Sequence, residues 1–222
     1  MHKDYLKNFH ALFYQDLFNA VKQKNIPYSI KNYQKEHIIA LSGDECRQIG
    51  ILIKGEIRIE QLYNNGKKNI INILKQFDIF GEILVFSNEA IYPFDIISAT
   101  KAEVFFISKE NLLKIFTDET SLLTQFLTHV ASSYLTLNQI IKLKSQKTIE
   151  SKWAYYFLHI KKITVDKRKC TIKNKTYLAD LIGVERQSLS RVFNDLQSKD
   201  YLSYDKNLII IKDFYYFQKL IE

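Results

Sequence analysis

The segment from Leu178 to Leu196 constrains this chain more than any other. Leu178, Ala179, Leu181 and Ile182 form one apolar set, and Gly183 follows them. Glycine reaches positive φ at little steric cost, so it predicts the end of a first short helix. Leu189, Val192, Phe193 and Leu196 form a second set with helical spacing. The opposite side of that second helix carries Arg186, Gln187, Ser190, Arg191 and Asn194, at i, i+1, i+4, i+5 and i+8. A short helix that buries one side and presents arginine, glutamine and serine on the other suits a DNA major groove. Arginine pairs bidentately with guanine and glutamine with adenine. The competing reading is a solvated face on an ordinary helical hairpin.

The flanks favour the first reading. Leu202-Ser203-Tyr204, a turn at Asp205-Lys206-Asn207, and Leu208-Ile209-Ile210-Ile211-Lys212-Asp213 predict two strands with a basic tip. Such a wing rests on phosphates, a role open to Lys206. The net charge is +8 and is unevenly placed. From Lys147 onward there are 15 Lys and Arg against 9 Asp and Glu, while the preceding part has 17 against 15. The positive excess therefore accompanies the two-helix motif, as phosphate neutralisation requires.

Upstream, Leu6, Phe9, Leu12, Phe13, Leu17 and Val21 predict an amphipathic helix that ends before Pro27. Between Tyr28 and Ile107 the pattern changes to short β-type runs. These are His37–Leu41, Ile49–Ile59 with a kink at Lys54-Gly55, Ile70–Leu74, Asp78–Glu82, Phe94–Ala99 and Glu103–Ile107. Asn64-Asn65-Gly66-Lys67 reads as a hairpin turn. Many short strands at regular spacing predict a sandwich or barrel.

Ser108 is the expected N-cap of a helix, and a long helix follows from about Asp118 to Leu143. Its Leu123, Leu127, Val130, Tyr134, Leu137 and Ile141 are spaced 4, 3, 4, 3, 4, a heptad seam. Leu122, Phe126 and Ile140 make a flanking stripe that can pack on the barrel. Two stripes predict two partners, the chain's own barrel and a second copy. A basic hinge at residues 142–147, an aromatic helix from Thr148 to Leu158 and a hairpin from Ile163 to Ile172 around Asp166-Lys167-Arg168 complete the prediction.

The order of amphipathic helix, barrel, long helix and winged helix-turn-helix resembles the Crp/Fnr family of bacterial transcription regulators. The residues that carry the resemblance are Leu178-Ala179, Gly183, Ser190-Arg191, Leu208–Asp213, Lys54-Gly55-Glu56-Ile57 and Phe80-Gly81-Glu82. The resemblance implies an α+β chain in three parts. Residues 1–117 would hold the N-terminal helix and an antiparallel, jelly-roll barrel of the cyclic-nucleotide-binding type. Residues 118–146 would hold the dimerisation helix and hinge, and 147–222 the winged helix-turn-helix. Carried over by position, base reading falls on Arg186, Gln187 and Arg191, with Ser188, Ser190, Asn194 and Lys206 as backbone or secondary contacts. Glu185 stands where Ser or Thr usually caps, and Gln187 stands where well-known members carry Glu. Glutamine suits adenine where glutamate suits cytosine.

The resemblance also implies an effector pocket. In the family a Gly-Glu pair meets the ribose and an Arg-Ser pair holds the cyclic phosphate. Gly81 and Glu82 match, but the Arg-Ser pair falls on Tyr92-Pro93. Tyrosine cannot neutralise a phosphate and proline has no N–H to give. Losing a charge-assisted contact of that kind costs about 2–5 kcal/mol. The expectation is a vestigial pocket without cAMP, in which Gly81-Glu82 survives as a turn that shapes the barrel. No cysteine cluster for an iron–sulfur centre is present, and His2, His10, His37, His129 and His159 are scattered. No metal or cofactor is expected, and Cys46 and Cys170 read as inert thiols.

No apolar run reaches membrane-spanning length and the N-terminus lacks a signal-peptide core. A cytoplasmic homodimer is expected, bound to a roughly palindromic duplex and touching RNA polymerase, with a barrel that senses another ligand or none. The alternative is a cupin-type binding or catalytic barrel with a partner-binding C-terminal domain. Such enzymes need clustered His and Glu ligands, and His37 is the only histidine within the barrel region.

Overall fold

The computed structural model describes residues 2–63 and 68–221. The expected hairpin turn at Asn64–Lys67 lies outside the described residues. The chain divides into two compact units, Met1–Ala131 and Ser132–Glu222, and the boundary falls inside one long helix.

In the first unit, helix α1 (His2–Gln23) leads, among the described residues, into eight strands: β1 (Ser29–Tyr33), β2 (Ile38–Ala40), β3 (Gln48–Lys54), β4 (Ile57–Leu62), β5 (Lys68–Leu74), β6 (Ile79–Phe80), β7 (Asp95–Ser98) and β8 (Ala102–Ser108). They form two antiparallel four-stranded sheets, ordered β1-β8-β3-β6 and β2-β7-β4-β5. Strand β1 is absent from the sequence-based reading, because Ser29-Ile30-Lys31-Asn32-Tyr33 has little apolar alternation. Its place comes from pairing with β8, Ser29 opposite Phe106 and Tyr33 opposite Ala102. The kink at Lys54-Gly55 is a break between β3 and β4.

One core joins both sheets to α1. Ile49, Ile51, Leu52, Val104, Phe105 and Ile107 come from one sheet, Ile57 and Ile96 from the other, and Phe13, Leu17 and Val21 from the helix. Burying each side chain of this size contributes about 1.5–3 kcal/mol. Leu12, which shares the helical period, faces outward.

Helix α2 (Lys109–Asp118) starts at Ser108, whose hydroxyl accepts from the Asn111 N–H as an N-cap. Helix α3 (Thr120–Lys144) then crosses the unit boundary. On its first half Leu122 and Phe126 are 3% and 4% exposed and join the core, with Leu123 and Val130 packed at its margin. Ile140, further along the same stripe, is half-buried. Leu127, Tyr134, Leu137 and Ile141 are 56%, 64%, 55% and 55% exposed. Two apolar stripes thus run along one helix, and the heptad stripe is largely uncovered.

The second unit begins with the end of α3. It continues with α4 (Ile149–Tyr155), β9 (Lys169–Thr171), α5 (Lys175–Ile182), α6 (Arg186–Ser198), β10 (Leu202–Asp205), β11 (Leu208–Ile211) and α7 (Phe214–Lys219). Thr148 and Ser151 form a reciprocal capping box at the start of α4, which ends in a wide turn at Tyr156–Ile160. The hairpin expected from Ile163 to Ile172 is corrected. Residues 163–168 form no strand; Thr164 and Lys167 close a turn, and the Arg168 guanidinium donates to the Val165 and Lys212 carbonyls. Only Lys169–Thr171 extends, and it pairs with β11 to give the order β10-β11-β9.

Candidate nucleic-acid interface

Helix α5 is capped by Asn174, whose side-chain oxygen accepts from the Tyr177 N–H at 2.7 Å. It stops at Gly183, with φ 68° and ψ 48°, where the Val184 N–H returns to the Ala179 carbonyl at 3.0 Å. An L side chain rarely adopts that conformation, so the sharp turn into α6 rests on this glycine. Helix α6 opens at Arg186, and Glu185 at the cap makes no side-chain hydrogen bond. Its carboxylate still suits the positive end of the helix dipole.

Burial fixes the rotation of α6. Leu189, Phe193 and Leu196 are fully buried, against Leu178, Ala179 and Ile182 of α5 and against Trp153 of α4. The Phe193 ring meets the Trp153 ring edge-on with centroids 3.6 Å apart. With that side sealed, Arg186, Gln187, Arg191 and Asn194 are exposed on the other, and Ser188 and Ser190 are half-buried at its border. No ion pair or side-chain hydrogen bond joins Arg191 to another of the described residues. The Lys199–Asp195 pair, 2.7 Å apart, lies at the far end of the helix.

The wing follows directly. Strands β10 and β11 pair from Leu202–Ile211 to Asp205–Leu208, and Lys206 sits exposed at the tip with φ 50°. The Tyr204 ring of β10 lies edge-on to Phe193, centroids 5.2 Å apart, so the wing and α6 share one aromatic contact. Lys175, the first residue of α5, completes the junction. Its ammonium is 4.4 Å from the Tyr204 centroid and 5.2 Å from that of Phe193. Burial, and then the nearby Arg186 charge, hold Lys175 below the ordinary lysine range. Lys175 is missing from the sequence-based candidates. Its one signal was a basic residue beside the Asn174 cap, and only the fold brings it to Tyr204.

The effector-type residues lie in the first unit. A Cβ placed on Gly81 (φ 78°) would sit 3.0 Å from the Cys46 Sγ and 3.3 Å from the Tyr92 hydroxyl, so Gly81 permits a close approach of three segments. Tyr92 is buried and hydrogen-bonded to Cys46, and burial drives its phenol far above the usual range. Pro93 is exposed, and its carbonyl accepts from the Ser42 hydroxyl. Glu82 meets His129 of α3, Oε1 to Nε2 at 3.4 Å. An open cleft of about 330 Å³ beside Tyr92 has Arg47 on its wall, and that arginine is paired with Glu45 at 2.6 Å.

Comparisons with known proteins agree with this architecture. Residues 30–119 match the cyclic nucleotide-binding domain, and residues 151–220 match the Crp-like helix-turn-helix domain. The global nitrogen regulator of Synechococcus elongatus is 18% identical over 88% of this chain and 90% of its own length. The putative HTH-type transcriptional regulator ycf28 of Porphyra purpurea is 24% identical over 93% of this chain and 86% of its own. Among solved structures, a CooA variant from Carboxydothermus hydrogenoformans shares the fold with a TM-score of 0.58, at 17% identity over 88% of each chain.

A domain of the cyclic nucleotide-binding type followed by a Crp-like, DNA-binding helix-turn-helix defines a transcription regulator. The chain belongs to the Crp/Fnr family. Both matches are those of a regulator and not of an enzyme, which sets aside the cupin-type alternative.

Proposed function

We propose that this regulator acts as a cytoplasmic homodimer that binds a roughly palindromic duplex and activates transcription through contact with RNA polymerase. The observation that carries the reading is the exposed side of α6. Arg186, Gln187 and Arg191 stand free of the core on a helix whose opposite side is sealed by Leu189, Phe193 and Leu196. Arg186 and Arg191 read guanine, and Gln187 reads adenine where relatives with glutamate read cytosine. Ser188, Ser190, Asn194 and Lys206 serve the backbone or secondary contacts, which fix register.

The heptad stripe of Leu123, Leu127, Val130, Tyr134, Leu137 and Ile141 pairs two copies, and the exposure of Leu127, Tyr134, Leu137 and Ile141 supports this. The working parts are then residues 1–117, 118–146 and 147–222, with the long helix serving as a part of its own. Among the described residues no helix is long and apolar enough to cross a membrane.

The pocket at Gly81, Glu82, Tyr92 and Pro93 is vestigial toward cAMP. The support is the buried, hydrogen-bonded Tyr92 at the position expected to hold a phosphate-binding cation. A gel-shift titration tests the whole reading. A duplex selected by the protein from a random library should bind with a steep salt dependence, and Gln187→Glu should move the preference at one position of each half-site from adenine to cytosine. Loss of the salt dependence, or an unchanged preference, would overturn it.

A further inference from the structure

Tyr204 of β10 stands opposite Ile209 of β11, and Ile209 is fully buried. Directly opposed strand residues share a face, so the Tyr204 ring lies on the inward face of the wing, as does the buried Leu202 two residues earlier. Beyond that rung Asp205, Lys206, Asn207 and Leu208 are all exposed. The tip that carries Lys206 is therefore placed by whatever fixes this rung. On the β11 side a backbone tie is present, since the Ile172 N–H donates to the Asn207 carbonyl at 2.9 Å. On the β10 side the fixing contact is the ring of Tyr204.

Three elements meet at that ring. It stands at 72° to the Phe193 ring of α6, with centroids 5.2 Å apart. The Lys175 ammonium, from the first residue of α5, lies 4.4 Å from the Tyr204 centroid and 5.2 Å from the Phe193 centroid. The two centroids and the ammonium thus form a closed triangle, with one corner on α5, one on α6 and one on the wing.

A charge is an odd choice for this corner. Lys175 is half-buried, no carboxylate pairs with it among the described residues, and the nearby Arg186 repels it. Methionine would fill the same space without desolvating a charge. What the ammonium adds is direction. Apolar contact is indifferent to how a ring is turned. A cation is drawn to the negative face of a ring, within about 6 Å of its centroid, and so selects the ring orientation that presents that face.

We infer that Lys175 is a positioning residue for DNA binding: it orders the Tyr204 ring against Phe193 and so holds Lys206, at the wing tip, in fixed register with the exposed side of α6. Lys175 acts through Tyr204, not by a phosphate contact of its own. The consequence for DNA rests on the function proposed above; the ordering of the wing by Lys175 does not.

A double-mutant cycle on the full chain tests this, read as affinity for a duplex selected from a random library. Lys206→Ala should weaken the wild type several-fold and lower its salt slope by about one. In Lys175→Met, which keeps the stem and loses the charge, Lys206→Ala should weaken binding by less than about twofold. Tyr204→Leu should blunt the Lys206 effect in the same way. Lys175→Arg should restore it, because a guanidinium also stacks on ring faces. An equal effect of Lys206→Ala in wild type and Lys175→Met would overturn the proposal, since a lysine that merely touched phosphate would act independently. The free chain gives a second reading, from ¹³C-labelled lysine and tyrosine. The Lys175 ε-methylene should resonate upfield of ordinary lysines and return to their position in Tyr204→Leu. The Tyr204 ring should turn over more slowly in wild type than in Lys175→Met. Equal ring motion in the two would overturn the proposal. Failure of the wild type to bind the selected duplex at any salt concentration would overturn the DNA reading, with the ring signals still deciding whether Lys175 orders the wing.

Discussion

The Phe193 ring on α6 lies edge-on against Trp153 on α4 at 3.6 Å between centroids, and this contact holds α6 to its own domain. Both rings are fully buried. Truncating Phe193 to alanine should destabilise the second unit by about 3–5 kcal/mol, while Phe193→Leu should cost about 1 kcal/mol. Denaturant unfolding followed by Trp153 fluorescence reads both values directly, because Trp153 is the chain's single tryptophan.

The uncovered stripe on α3 makes a separable prediction. Replacing Leu127 and Tyr134 with glutamate puts charge onto a stripe that is exposed in the single chain and that the proposed pairing would bury. Folding should be nearly unaffected, since surface changes usually stay within about 0.5 kcal/mol. Sedimentation should then show monomers where the unaltered chain gives dimers. A surviving dimer would place the pairing surface elsewhere.

The thiols should be sluggish. Burial pushes Cys170 up to about 11, with a small opposing pull from Lys161. Burial likewise raises Cys46. A raised thiol is protonated below its shifted value, so at pH 7 Cys170 holds roughly one thiolate in ten thousand chains. Iodoacetamide labelling of the native protein at pH 7 should be far slower than that of the unfolded chain at both positions. Rapid labelling of either would contradict the burial seen here.

Much of this was legible in the residues. The two short helices showed because Gly183 interrupts two apolar sets of helical spacing, and the heptad stripe showed because α3 keeps one period across the unit boundary. What stayed hidden was tertiary in origin. Strand β1 has polar residues at alternate and adjacent places, and only β8 makes it a strand. The sequence around the short β9 suggests half of a local hairpin, although its partner β11 lies nearly forty residues further on. Lys175 and the contact between His10 on α1 and His129 on α3 were invisible for the same reason. His10 and His129 stand 119 positions apart, and no spacing rule joins them.

Calorimetry with cAMP at millimolar concentration should give no binding heat. In the proposed reading the buried Tyr92 phenol stands where the phosphate-binding cation would be, and Arg47 on the wall of the neighbouring cleft is paired with Glu45. Micromolar binding would show that the phosphate is held by some other group.

Hydroxyl-radical footprinting of the selected duplex, with wild type and Arg191→Ala side by side, tests the central claim most directly. The account predicts two protected half-sites related by a two-fold axis, their centres about 10–11 bp apart, for the wild type. It predicts loss of both in Arg191→Ala, with sedimentation and circular dichroism unchanged. Equal protection by the two proteins, or protection of one unpaired half-site, would contradict it.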